Sequence, residues 1–417
     1  MRKIWNGLRR ILLTIVVFVS MLLASGYEAF AAGLQGPSSA TTVQGVMDVM
    51  KVYNPDVYYF LEADIRNNPS DATSFAYFMS GDTIASGIDT GVHETYHYYT
   101  FHGEPDIPFA GERIYVGGNT SYTIDYRNLY FGGILFPTSE MSAGIPSSLR
   151  TFRYSTYVSS GAGADANTKG PVGLINEFSA YYWGLNTMDS LIPYFQAYGA
   201  GKDAWTEYVK SLGNNMTAYT EFKYWILGYM NYAKVYHPET YKAILEDVNI
   251  CKAYAATEMN FAALIDKSVS NIPAINASLA SKNLKLQCDQ SGAWCKQGGS
   301  GRGVTLTDYY KLKTELEKPE YVEMDAIMKQ AAGLSPQTVV NPSTPSDQTV
   351  VMVTTQSCSI WSAPSTKEAN RVKVIPAGYK VTVIPVPVSS TNNDGKVFYR
   401  TVKGSYILAR VLTDEME

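Results

Sequence analysis

The segment GVHETYHYYTF, residues 91–101, places His93, Glu94 and His97 in an H-E-x-x-H arrangement. On an α-helix, residues four apart lie about 40° apart around the axis and one turn along it, so the two imidazoles point the same way and can grip one cation. Glu94 stands about 100° round from His93, where it reaches solvent held by that cation more readily than the cation itself. Neutral imidazoles bind Zn2+ tightly and leave it electrophilic, which brings the pKa of its bound water to about 7. A neighbouring carboxylate can then take a proton from that water as it attacks a carbonyl, and hand it to a departing amine. The chain has four His, and two of them fall in this pattern. Ile88, Val92, Tyr96 and Tyr99 add an apolar stripe at helical spacing, and no proline interrupts it. The plainer reading is an amphipathic helix with two packed or solvated histidines.

A catalytic zinc site usually takes three protein ligands and a water. The short-spacer form with a third His fails here, because His102 is too close to His97 and Gly103 is misplaced. His237, in VYHPE, sits at an apparent helix end and reads as a C-terminal cap. Glu177, in GLINEFSAYYWG, is the better candidate. It interrupts an apolar helix face made by Leu174, Phe178, Tyr181 and Tyr182, and a carboxylate on such a face needs a partner. Zinc would be one partner, and a salt bridge or the helix dipole the alternative. Glu221, in AYTEFKYW, has a similar setting and is the runner-up. Glu112 and Glu140 fall in apparent loops.

The motifs HETYH and NEFSAYY, both within residues 84–184, resemble those of the gluzincin metallopeptidases. The resemblance implies His93, His97 and Glu177 as zinc ligands and Glu94 as general base. It further implies a zinc-dependent peptidase acting on a protein or peptide substrate. Many gluzincins carry an Asp one turn after the ligand Glu to orient a zinc histidine; this position is Tyr181 here, so that role must fall to another residue. The donor for the developing oxyanion stays open among Tyr154, Tyr181, Tyr182 and His102. The Tyr-rich run 113–126 offers an edge strand for an extended peptide.

The elements that must position these groups follow from periodicity. Residues 172–198, 203–236 and 239–267 carry helical spacing, whereas RIYVGG (113–118), SYTIDY (121–126) and TFRYSTYV (151–158) read as strands. The Gly-rich segment 159–173 reads as a connection, with a loop covering the site as the alternative. Composition changes at 331–349, a Pro-, Ser- and Thr-rich linker. Beyond it, 350–417 alternates short β-rich runs with turns. The WSAPS turn (361–365), the IPAGYKV hairpin (375–381) and GSYILARVL (404–412) resemble bacterial SH3-type domains, which implies a small barrel able to bind cell-wall peptides. The expected fold class is therefore α+β: a mainly helical, zincin-like domain over 32–330, followed by a small all-β SH3-like barrel.

The first 31 residues read as a signal peptide. Arg2, Lys3, Arg9 and Arg10 precede an apolar run from Ile11 to Ala24, and Ala29-Phe30-Ala31 gives a small-x-small cleavage site. An uncleaved anchor is the alternative. Cleavage removes four basic side chains and Glu28, taking the formal charge from −4 to −7. So acidic a chain is poorly suited to gripping phosphates, which argues against a nucleic-acid partner. No later stretch is apolar enough to span a bilayer, so no membrane attachment is expected after cleavage. At 417 residues with 46% hydrophobic and 17% charged side chains, the chain has material for two folded domains. The 32 tyrosines suit both wet grooves and general packing. Export would permit disulfides, and Cys288 with Cys295 could close the DQSGAW loop. The expected protein is thus a secreted zinc peptidase, with the SH3-like domain as its means of wall association. A non-enzymatic wall-binding protein using its SH3-like domain is the alternative.

Overall fold

A computed structural model describes residues 34–67, 75–103 and 111–334, together with a set of strands between 350 and 414. The signal-peptide expectation for residues 1–31 lies outside the described residues. The chain divides into two compact units, Met1–Ser335 and Pro336–Glu417. The first is helical with two small antiparallel sheets, and the second is all-β in its described parts, so the chain is α+β. Among the described residues, no helix is long and apolar enough to cross a membrane.

The first unit opens with helices α1 (Val43–Tyr53) and α2 (Pro55–Asn67), then α3 (Ile84–His102), which carries the H-E-x-x-H motif. Thr83 starts α3 with a reciprocal cap: its hydroxyl accepts from Ser86 N, and Ser86 Oγ accepts from Thr83 N. That satisfies two of the otherwise orphaned donors of the first turn. Ile88, Val92, Tyr96 and Tyr99 are all buried, so the stripe read from the sequence is the packed face of α3. A hairpin follows, β1 (Gly111–Gly117) with β2 (Thr120–Asp125). The carbonyl of Tyr115 on β1 accepts from both the Tyr96 hydroxyl and the Trp183 indole, each at 3.0 Å. These two bonds fix the hairpin to the helix pair beneath it.

Helix α4 (Pro171–Ser190) carries Glu177 and packs on α3 and on α5 (Lys202–Tyr236). Helices α3 and α4 run antiparallel, since His97 meets Asn176, His93 meets Tyr181 and Asp89 meets Gly184. Gly184 permits this approach: a Cβ there would lie 2.1 Å from Asp89 Oδ1 and displace that side chain. After α5 come α6 (Pro238–Glu246) and α7 (Val248–Leu279), so the single helix read over 239–267 is two, broken at Asp247. Asp247 caps α7 by accepting from the backbone of Asn249 and Ile250, and its extended backbone ends α6. The unit closes with a three-stranded sheet and helices α8 (Thr307–Leu316) and α9 (Pro319–Ala331).

Two local expectations are corrected. TFRYSTYV is not a strand but a turn and a short helix, Tyr154–Tyr157. Its alternating pattern is overridden by tertiary partners: Arg153 pairs with Glu221, and Tyr157 bonds Glu177. The Cys288–Cys295 loop is instead the hairpin of β3 (Leu284–Asp289) and β4 (Gly292–Gln297), joined by β5 (Ser300–Val304). Its register sets Cys288 against Ala293 and Cys295 against Leu286, and the described cysteines Cys251, Cys288 and Cys295 are free. The two sulfurs face separate neighbours, Met216 Sδ and the Lys202 carbonyl. In the second unit, strands β6 to β12 (Val350–Thr354, Cys358–Trp361, Arg371–Ile375, Lys380–Ser389, Val397–Thr401, Tyr406–Leu408, Leu412–Asp414) form one sheet in the order β12-β6-β9-β10-β11-β7-β8. Its described pairings are antiparallel. The WSAPS and IPAGYKV turns fall largely outside the described residues.

A buried ion cluster clamps α5, α7 and α9. Glu258 lies 2.7 Å from Lys223 and 2.6 Å from Lys329, and Lys329 also meets Asp325. Burial opposes the Glu258 charge, but the two lysines outweigh it and hold its pKa down at about 2. Glu258→Ala leaves two poorly solvated ammonium groups short of a partner and is expected to cost about 3 kcal/mol in urea denaturation. A carboxyl held below its usual range contributes stability above that range. In wild type this contribution fades as pH falls from the usual carboxylate range toward 2. The variant's denaturation midpoint should therefore depend less on pH there.

Candidate metal centre

Helices α3 and α4 bring three of the candidate ligands to one point. His93 Nε2 and His97 Nε2 are 3.1 Å apart, and Glu177 Oε2 lies 3.7 Å from the first and 3.3 Å from the second. In a tetrahedron with bonds of about 2.0–2.1 Å, ligand atoms stand about 3.4 Å apart. The triangle these three atoms form has that size, and the two-imidazole, one-carboxylate donor set suits zinc. Among the described residues, this is the one cluster of His, Cys, Asp and Glu with metal-holding spacing.

The site is held by its neighbours. His97 Nδ1 donates to Asn176 Oδ1 at 2.5 Å, which presents Nε2 to the cluster. Asn176 in turn donates to Thr100 Oγ1 (2.8 Å) and to Glu112 Oε2 (2.7 Å). Glu112 is not in a loop: it lies on β1, fully buried, with Lys169 3.5 Å away. Burial pushes the Glu112 carboxyl above its usual range, against the pull of Lys169 and Asn176. The orienting role that Tyr181 cannot take therefore falls to Asn176, the residue directly before Glu177. The Tyr157 hydroxyl donates to Glu177 Oε2 at 3.1 Å and holds the carboxylate from the other side.

Electrostatics divide the two imidazoles. Burial, helped by the charge of His97, lowers the His93 pKa to about 3, so this ring is neutral. Burial works against charge on His97 as well, but the Glu177 carboxylate and the Asn176 bond outweigh it and raise its pKa to about 9. Glu177 is held below its usual range, since His97 outweighs its own burial. Without a metal, one proton on His97 compensates Glu177.

Glu94 follows His93 on α3, partly buried, and burial raises its pKa. It lines a cavity of about 200 Å³ with Asp89, Thr90, His93, Arg153, Tyr181, Asn214 and Asn215. A second cavity of about 150 Å³ lies on the His97 and Glu177 side, lined also by Phe101, Glu112, Lys169 and Asn176. Of the four oxyanion-donor candidates, Tyr181 is the one lining a cavity with Glu94. Tyr154 bonds the Ser142 carbonyl, Tyr182 packs on Trp183 and Phe261, and His102 lies against Tyr98. Arg153 Nε donates to Tyr181 Oη at 2.9 Å, and the Tyr157 hydroxyl interacts with the same group.

The other candidate ligands lie apart. Glu221 is fully buried against Arg153 at 2.6 Å. His237 caps α5 and meets Glu140 at 2.7 Å, stacked on Phe136. Segment 159–173 is a connection with a short helix, Asp165–Thr168, whose Ala166 packs so close to Gly173 that a Cβ there would lie 2.5 Å from its Cα. Sequence reasoning passed over Asn176, Tyr157, Arg153 and Asp89. Asn176 alone carried a local signal, its place beside Glu177; the others are brought in from distant segments.

A metal ion held by these three groups would displace the proton on His97, so zinc affinity should rise as pH increases from 6 toward 9, with proton release on binding. Competition against a chromogenic chelator across that range checks the slope. The same assay should show Asn176→Ala binding zinc about 10–100-fold more weakly. An unchanged affinity would remove Asn176 from the site's support.

No family model matches this sequence, and comparisons with curated proteins and with solved structures also return no match.

Proposed function

We infer that this protein is a secreted zinc-dependent metallopeptidase of gluzincin type, hydrolysing peptide bonds with Glu94 as general base. One observation carries the reading: two imidazoles and a carboxylate converge at metal-ligand spacing, with a second carboxylate one residue from the first imidazole. His93, His97 and Glu177 would hold the ion. Zinc bound there supplies a Lewis acid that polarises a carbonyl and brings the pKa of water to about 7. Glu94 takes a proton from the attacking water and delivers it to the leaving amine. Its partial burial favours the protonated form at that second stage. Tyr181, with its oxygen already engaged by Arg153, donates its proton to the substrate's carbonyl oxygen as negative charge develops. The mainly helical first unit serves as the zincin-like catalytic domain over 32–330. The second unit would act as an SH3-like module that tethers the enzyme to cell-wall peptides, a reading that rests on the WSAPS, IPAGYKV and GSYILARVL motifs.

Metal analysis and a peptide hydrolysis assay test the chemistry together. Wild type is expected to carry about one zinc per chain. His93→Ala and Glu177→Ala should each lose most of it, whereas Glu94→Gln should keep it and lose turnover by about 10³-fold or more. Full activity in Glu94→Gln would rule this mechanism out. For the tether, purified cell walls should retain the full-length protein and release a form ending at residue 335. Equal retention of the two would count against it.

A further inference from the structure

The three-stranded sheet of β3, β4 and β5 turns one face to the core and the other to solvent. Side chains alternate along a strand, so each face carries every second residue. Leu284, Leu286, Ala293 and Cys295 are on the inner face and buried. Ala293 and Val304 pack there against Gly213 of α5, and Asn276 of α7 bonds the backbone of Leu286. The outer face carries Lys285 and Gln287 from β3, Trp294 and Lys296 from β4, and Gly301 and Gly303 from β5. Both lysines are exposed, and Trp294 and Gln287 are partly so. The nearest atoms that a Cβ at Gly301 or Gly303 would meet all belong to β4.

The register sets these side chains in two rows. Lys285 stands directly opposite Lys296, and Lys296 opposite Gly301; Gln287 stands opposite Trp294, and Trp294 opposite Gly303. Residues directly opposite on one face have Cβ atoms about 4.5–5.5 Å apart, and like charges so placed are destabilising. Among the described residues neither ammonium group is in an ion pair. The field of Asp289 reaches Lys296, but Asp289 is at the hairpin end of β3, about 13 Å of strand from Lys285. Its carboxylate is taken up by Ser291 and Gln287. Trp294 is two residues from Lys296 on the same strand, about 7 Å away. Among the described residues its indole has neither an aromatic neighbour nor a hydrogen-bond partner. The glycines of β5 put no side chain beside it.

We propose that this outer face binds an acidic polysaccharide, with the ammonium groups of Lys285 and Lys296 sharing one sugar carboxylate and Trp294 stacking on a neighbouring pyranose ring. The proposal does not rest on the peptidase reading. Charge complementarity selects an anion, because a carboxylate between two ammonium groups replaces their repulsion by attraction. The indole selects a ring: a pyranose offers a flat face of C–H groups to its apolar surface and hydroxyl oxygens to its free N–H. The step of about 7 Å from Lys296 to Trp294 is on the scale of one sugar unit, so one chain can meet both.

Calorimetric titration of the full-length protein at low salt compares polygalacturonate, its methyl ester and poly-glutamate. Polygalacturonate is expected to bind, and the other two at least about tenfold more weakly, the ester for want of charge and the polypeptide for want of a ring. Replacing both lysines, Lys285→Gln with Lys296→Gln, should weaken binding at least about tenfold and flatten its salt dependence. The melting temperature of this double variant should hold or rise, because a like-charge pair is gone. Trp294→Ala should cost about tenfold in affinity. The proposal is overturned if polygalacturonate does not bind. It is overturned equally if the methyl ester or poly-glutamate binds as tightly, or if the double lysine variant binds as wild type does. The comparison of the three polymers uses unaltered protein, so a variant that folds poorly leaves the test intact.

Discussion

A carboxylate and two imidazoles, one ring buried and the other two groups partly so, meet in the contact between two helices, and the first unit is arranged around that contact. Buried charge is tolerated only when compensated, and here each polar group has a named partner. Glu177 is set against His97 and Tyr157, and His97 against Asn176. Asn176 is in turn set against Glu112 and Thr100, and Glu112 against Lys169. The chain of partners runs from α3 through α4 to β1 and into the segment before α4. Moving any of these elements would strand a charge in the interior. The site therefore holds the fold to one arrangement as much as the fold holds the site.

The close antiparallel approach of α3 and α4 makes this possible. Gly184 lets the helices meet at Asp89, and Tyr96, Phe60, Trp183 and Tyr115 pack behind them as an aromatic block. Each fully buried aromatic side chain contributes about 1.5–3 kcal/mol of hydrophobic stabilisation, enough to offset part of the cost of the polar seam in front. The hydroxyl of Tyr96 and the indole of Trp183 share one carbonyl, so even the apolar side of the contact fixes the position of β1. Through β1 it fixes Glu112. Tyrosine is frequent in this chain because it packs and hydrogen-bonds in the same position.

Different links carry different parts of the chemistry. Local helix geometry points the two histidines the same way. Helix pairing supplies the third donor and the two cavities flanking it. The segment before α4 supplies Arg153 and Tyr157, which act on Tyr181 and Glu177 respectively. That segment has an alternating pattern typical of a strand, yet among the described residues no strand pairs with it. Its polar side chains found partners on α4 and α5 instead, and the backbone turned.

What the sequence determined alone is what depends on residues close in the chain. The four-residue spacing of His93 and His97, the apolar stripe beneath them, the long helices and the composition break near 331 could all be read without coordinates. They follow from backbone periodicity and from the chemistry of short segments. The sequence favoured Glu177 over Glu221, Glu112 and His237, but it could not say which partner each would meet, because each is a polar residue in an apolar or terminal setting with no local mark of that partner. Tertiary structure sent Glu177 to the histidines, Glu221 to Arg153, Glu112 to Asn176 and His237 to Glu140. A buried charge is satisfied by whatever opposite group the fold brings within about 3 Å, and contacts across 80 residues of chain are set by packing rather than by neighbours in sequence.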